Sequence, residues 1–400
     1  MNRQDAATRP SSTLHEAEVK PWRVLHACEK AASVAALAEA QSGVGMRPHV
    51  LARELWTGKT AVSASLLTTW HDVRDWRHAL NEAEQLSSVQ IVHAHSFAAA
   101  MAGVRGNLPS VYDLSRTLED STTGVSGANA GPWLQRSFRV AEQFVLSRAG
   151  AVVTHAASMR EVACERGALP QNVFVVPDPL PPQGEFVPDR DWAALHGIDL
   201  GYDAVLFALP VREGIESTLQ AFSEILVEIE HAVLLFELGD LDRNQLLSMA
   251  RDLNVADNIR CISPDEHELA AACADVVLVA AACDPGVHTN PAMLWAMAAG
   301  KAVVAADVSE NRECSIDGRG VIWYKERDIK DLAQRAAFVA RNPEFARGLG
   351  ESGRHHLVNT RAPHVIARRY DDIYKHAQSR RRDNLPKIPV PQLYTANVQA

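Results

Sequence analysis

The sequence predicts an α/β protein of two doubly wound halves that face each other across a cleft. Three observations predict it. Short β-branched runs alternate with longer Ala- and Leu-rich amphipathic stretches, the pattern of βαβ units and a parallel sheet. That rhythm breaks at "PLPPQGEFVPDRD" (179–191), where four prolines and a glycine cannot continue a helix or a central strand, and then restarts. At 400 residues the chain is also too long for one ordinary core.

Each element follows in order. "WRVLHAC" (22–28) reads as the first strand, and a helix follows through "AASVAALAEAQSGVG". "RPHVLA" (47–52), "VQIVHAHS" (89–96) and "LPSVYDLS" (108–115) read as three more strands. A long helix over 133–150 precedes the strand "AVVTHA", the helix "SMREVACERG" and the strand "NVFVVPDPL". Past the hinge the strands are 203–210, 232–239, 258–263, 275–281, the Val-rich run after Lys301, and 320–324. Helices over 214–229, 243–254 and 265–273, one entered at Asn290-Pro291, one from Asp328 and a last one over 361–377 complete the pattern. The expected division is a tail over 1–21, a first half over 22–186, a second over 187–360, a helix over 361–377 that crosses back, and a tail over 378–400.

Composition narrows the function classes. A hydrophobic fraction of 47% with 22% charged residues is that of a globular chain. The net charge of -9 argues against a nucleic-acid surface, which needs an excess of Lys and Arg. The six cysteines are scattered without a CxxC pair, which fits reduced thiols rather than disulfides or a metal cage. No apolar run has the length of a signal peptide core or a membrane span. The expected compartment is the cytoplasm. Arg380, Arg381 and Arg382 beside an amphipathic helix leave peripheral contact with the inner, anionic membrane face open.

Four segments, in one consistent order, resemble the family 4 glycosyltransferases. They are "IVHAHSFAAAMAGVRGNLPSVYDLS" (91–115), "VLSRAGAVVTHAASMREVACERGALPQNVFVVPDPL" (145–180), "GIESTLQAFSEI" (214–225) and "LWAMAAGKAVVAADVSENRE" (294–313). The resemblance implies the GT-B fold, with Rossmann-like halves, and retaining transfer of a hexose from a nucleotide sugar to a glycan or lipid acceptor. Synthesis of surface polysaccharide or glycolipid is the expected setting. No cofactor is implied beyond the donor substrate, and no metal is required.

The resemblance also implies a site, and here the sequence departs from it. In the family an Arg and a Lys neutralise the leaving diphosphate, because fixed cations and helix N–H groups aimed at developing charge lower the barrier. Two glutamates hold the donor by charge-assisted hydrogen bonds. The Arg–Lys strand appears as "ALPVREG", with Arg212 kept and Glu213 where the Lys stands. The two glutamate positions fall on Val287 and Trp295, and the early paired glycines on "CEKAASV". The family's His after the fourth strand is Ser115, and the later glycines are Ser309 and Glu310, while Glu313 keeps an acidic position.

The donor-binding candidates are therefore Arg212, Asp284, Gly286, His288, Thr289, Asn290 and Glu313; Asn290 before Pro291 also reads as an ordinary helix cap. His93 and His95 share one face of a strand end and are cleft candidates with Asp113 and Ser115. Buried histidines satisfied by backbone are the plainer reading of that pair. Two functions stay open. One is a working hexosyltransferase with a divergent site. The other is an inactive scaffold of the same fold that binds a glycan, a nucleotide or a partner glycosyltransferase. A nucleotide-sugar epimerase of similar shape fits the ordered motifs less well.

Overall fold

A computed structural model describes residues 21–57, 66–115, 117, 132–177, 179–180, 187–208, 214–238, 243–280, 290–315 and 317–382. The first half holds six strands: β1 (Arg23–Cys28), β2 (Arg47–Ala52), β3 (Ile91–Ala94), β4 (Ser110–Asp113), β5 (Ala151–Thr154) and β6 (Val173–Val175). They form one sheet in the order β2-β1-β3-β4-β5-β6. The second half holds β7 (Ala204–Ala208), β8 (Ala232–Glu237), β9 (Ile259–Ile262), β10 (Val276–Val279), β11 (Ala302–Ala306) and β12 (Val321–Tyr324), ordered β12-β11-β10-β7-β8-β9. Every pairing in both sheets is parallel.

The two-sheet α/β architecture expected from the rhythm is the one observed, and each expected strand is present. Several strands are shorter than the runs that announce them: β3 ends at Ala94, β4 at Asp113 and β6 at Val175, and the rest of each run leaves the ladder. Two long helices were not among those expected: Leu66–Ser87 and Pro343–Arg361.

Central strands of a parallel sheet are covered on both faces, so their sequences are nearly continuous apolar runs. β8 and β10 are buried at every residue. One face of the second sheet carries Leu206, Leu234 and Val304 under Phe222, Leu219 and Ala336, and the other carries Phe207, Leu235 and Val303 under Met293, Ala296 and Leu357.

The chain crosses between the halves twice, and the two crossings are stitched together. Leu180 of the hinge donates its N–H to the carbonyl of Arg361, at 2.7 Å. The return crossing turns at Ala362, which sits at φ -57°, ψ 142°. A residue before proline is pushed out of the helical region in this way, so Pro363 ends one helix and opens the next. That helix, Pro363–Arg382, lies on the first sheet. Ile366, Tyr370, Ile373, Tyr374 and Ala377 pack against Val24, Ile91, Val111, Ala151 and Val153. It runs past the expected end at 377 because nothing in "QSRRR" opposes helix; the next proline is Pro386.

Gly150 sets how closely that helix approaches. A Cβ there would stand 3.1 Å from Cα, Cβ and O of Ala377, against backbone that cannot swing aside. We expect Gly150→Val to lose about 1–3 kcal/mol, the usual cost of overpacking. Urea unfolding measures it, and an unchanged midpoint would mean the crossover helix does not bear on Gly150.

Candidate functional site

In doubly wound sheets ligands bind outside the strand carboxyl ends, where the strand order reverses. In the first sheet the reversal lies between β1 and β3, and in the second between β7 and β10. Both places collect the chemistry. The segments following β7 and β10 carry Arg212 and Asp284, Gly286, His288 and Thr289; these five lie outside the described residues.

The two sets of carboxyl ends face each other. Glu313, which follows β11, accepts hydrogen bonds on Oε1 from the N–H groups of Ala157 (3.0 Å) and Ser158 (3.2 Å), which follow β5. A carboxylate thus caps the first turn of the helix Ala157–Glu165 from across the cleft, where free N–H groups and the helix dipole favour negative charge. Arg361 donates to the Glu313 carbonyl at 2.8 Å and ties the same joint to the returning chain. Among the donor candidates Glu313 is therefore spent, at least through this oxygen, on closing the halves.

Asn290 caps the helix Pro291–Ala298, its side-chain oxygen accepting from the Met293 N–H at 3.2 Å. Its amide donates to Asn311 Oδ1 at 2.8 Å, and the residue is buried, so this side chain faces the second half's interior. Trp295 stands where the second family glutamate would be. Its ring meets His267 edge-on, with centroids 3.9 Å apart, and packs on the cluster of Phe207, Met293 and Val303. His267 Nδ1 pairs with Glu237 Oε2 at the carboxyl end of β8. Glu237, His267 and Trp295 thus form a row at the mouth of the second sheet that sequence reading missed, since its members come from three separate segments.

The first sheet gathers a denser cluster. Register places His26 of β1 beside His93 of β3, and alternation carries His95, Asp113 and His155 onto the same face. His155 Nε2 lies 2.8 Å from Asp113 Oδ1, and its Nδ1 lies 2.9 Å from the Val176 carbonyl. His95 Nδ1 lies 3.3 Å from Asp113 Oδ2. Two further members come from helices: Gln41, whose Oε1 is 2.9 Å from His26 Nε2, and Tyr374 of the crossover helix, whose hydroxyl is 3.0 Å from His93 Nδ1. Of the expected cleft residues, His93, His95 and Asp113 are brought together and Ser115 stands exposed beside them. His26 and His155 escaped the sequence reading, although their strand-end positions and alternation with apolar neighbours were a usable signal.

Burial alone would raise Asp113, but the His155 and His95 rings outweigh it and hold the carboxyl well below its usual range. Burial, then the neighbouring His95 ring, pushes His26 down to about 3 against the opposing pull of Gln41 and Asp113. His93 is lowered by the same burial and by His95 and His26. An unfolded chain therefore binds protons between about pH 6.5 and 3 that the folded chain refuses at His26, so stability rises with pH through that window and is complete above it. We expect wild type, in chelator-treated buffer, to lose stability on acidification from pH 6.5 to 4, and His26→Gln to lose less. The difference should approach about 1.4 kcal/mol per pH unit. Parallel slopes in denaturant titrations across that range would reject it.

Comparison with known proteins agrees with this geometry. Residues 19–179 match the family model described as glycosyl transferase 4-like domain, and residues 204–342 the one described as glycosyl transferases group 1. The chain belongs to the glycosyltransferases of the GT-B type. Sucrose-phosphate synthase from Thermosynechococcus elongatus shares 16% identity at a TM-score of 0.61, covering 90% of this chain and 100% of that one. A glycosyltransferase from Rickettsia africae shares 13% at 0.65, covering 89% and 98%. Anabaena HepE in complex with UDP-glucose shares 13% at 0.60, covering 88% and 99%. At such identities these likenesses establish the shared fold. No curated protein matches the chain in sequence. Among the described residues no helix is long and apolar enough to cross a membrane.

Proposed function

We propose that the protein is a hexosyltransferase that takes its sugar from a nucleotide donor and passes it to a glycan or lipid acceptor. The observation that carries this reading is the contact between the carboxyl-end segments of the two sheets, made by the Glu313 carboxylate after β11 on the helix Ala157–Glu165 after β5. The donor belongs on the second half, at the N-terminus of the helix Pro291–Ala298, where the helix dipole favours a diphosphate. Arg212 is the cation for it. The HepE structures with UDP and UDP-glucose support a uridine donor as the first to try. The acceptor belongs on the first half, against the exposed edge of His95 and His155. Their partner Asp113 keeps a fixed negative charge there.

One observation favours a second reading, an inactive scaffold. Trp295 replaces a sugar-holding carboxylate by an indole that cannot accept a hydrogen bond and that packs on the core. Loss of even one group that stabilises the transition state costs about 100- to 1000-fold in rate.

Calorimetry with UDP-, GDP-, ADP- and TDP-sugars, with release of nucleoside diphosphate followed in parallel, tests the proposal. Saturable binding of one donor with turnover is expected; binding without turnover selects the scaffold. Arg212→Ala should weaken that binding by about 1.5–3 kcal/mol, the range for a hydrogen bond to a charged group. Unchanged affinity takes Arg212 out of the site. Trp295→Glu separates the readings at the residue itself. A pocket-filling indole predicts a loss of roughly 2–4 kcal/mol from vanished packing and a poorly solvated charge. A stable variant with altered donor affinity would instead show that the indole lines an open donor site.

A further inference from the structure

We propose that His26, His93 and His95 form a binding site for one divalent transition-metal ion of the zinc class, at the switch point of the first sheet. The ligand atoms these three residues offer all lie within 4.8 Å of one another. The hydrogen-bond partners bear on what His26 and His95 present. Gln41 Nε2 donates to the Tyr374 hydroxyl at 2.8 Å, and in this orientation of the amide Oε1 stands 2.9 Å from His26 Nε2. An amide oxygen only accepts, so His26 Nε2 carries a proton and the neutral ring shows a lone pair at Nδ1. The Asp113 carboxylate, likewise an acceptor, faces His95 Nδ1 at 3.3 Å, so His95 Nε2 is the lone pair of that neutral ring.

His26 Nδ1 and His95 Nε2 are 2.9 Å apart. Two lone pairs at that distance repel, and the contact needs a cation to join it. A shared proton meets the need of this pair alone. It leaves the third member unanswered: His93 Nε2 is fully buried and has no hydrogen-bond partner, with the nearest carboxylate oxygen, Asp113 Oδ2, at 3.9 Å. A metal ion serves all three. Zinc takes imidazole nitrogen at about 2.0–2.1 Å, which puts tetrahedral ligands about 3.3 Å from one another. The separations of 2.9 Å and up to 4.8 Å bracket that value.

The outer partners match as well. A metal-bound histidine commonly engages its other nitrogen with a carboxylate or another polar group, which fixes the ring and tunes its basicity. Here Gln41 serves His26, Asp113 serves His95 and Tyr374 serves His93. All-imidazole ligation favours zinc, copper, nickel or cobalt over magnesium or calcium, which prefer oxygen. Of the three rings only His95 has side-chain exposure, 12%, so a fourth ligand, water or an oxygen of an incoming molecule, enters past it.

The test uses full-length protein purified without a histidine tag, stripped by chelator, and titrated with zinc or cobalt(II). We expect one zinc per chain after dialysis, by mass spectrometry of the metal, and an intense visible d–d absorption with cobalt from a site of low coordination number. His95→Ala, the least buried ligand, should lower zinc affinity by at least about 100-fold, and Gln41→Leu, acting through His26, by about 10–100-fold. Circular dichroism of both variants confirms folding. A folded wild-type chain that holds no zinc would overturn the proposal. So would His95→Ala binding zinc as wild type does, which would place the metal on other histidines. None of these readouts depends on sugar transfer, so their failure and that of the transferase reading remain distinct.

Discussion

The structure depends most on one helix returning to the half it left. Pro363–Arg382 is contributed from beyond the second sheet but buries its apolar stripe on the first. Tyr370 and Tyr374 are each no more than 2% exposed, so two aromatic side chains leave water at this one contact. Burying such side chains is among the larger single gains available to a fold, on the order of 1.5–3 kcal/mol each for large apolar groups. The contact also joins the halves covalently and non-covalently at once, because the helix starts where Arg361 meets both the hinge and Glu313.

The same helix makes the polar cluster of the first sheet possible. Five ionisable side chains at strand ends on one face would ordinarily be left to solvent. The crossover helix covers His93, and the buried members must satisfy one another or find a partner. Tyr374 reaches both Gln41 and His93, and Gln41 in turn reaches the His26 ring. Trp22 adds a second tie, its indole N–H donating to Asp371 at 2.7 Å. The chemistry of the first half is thus set by a helix at the far end of the sequence.

The second half shows a complementary economy. Lys301 donates to the carbonyls of Ala272 and Ala274. Burial lowers its pKa and the nearby Asp275 partly restores it. Asn290 likewise turns inward to Asn311. These polar residues serve the sheet's connections, while Glu237, His267 and Trp295 stand in a row at its mouth.

The strands were legible because a parallel strand covered on both faces is a nearly continuous apolar run, as in "AVLLF" or "VVLVA". The hinge was legible because proline removes a donor and fixes φ wherever it occurs. His93, His95 and Asp113 could be placed at strand ends, and the two on β3's extension on one face, from alternation alone. What the sequence did not determine was which strands are neighbours. His26 meets His93 because β1 pairs with β3 although β2 lies between them in sequence. Gln41 and Tyr374 are 333 residues apart and meet because a helix crosses the cleft. Local pattern reports how a residue faces its own element. Which side chains share a site is decided by long-range packing, and that depends on the burial of all the elements together.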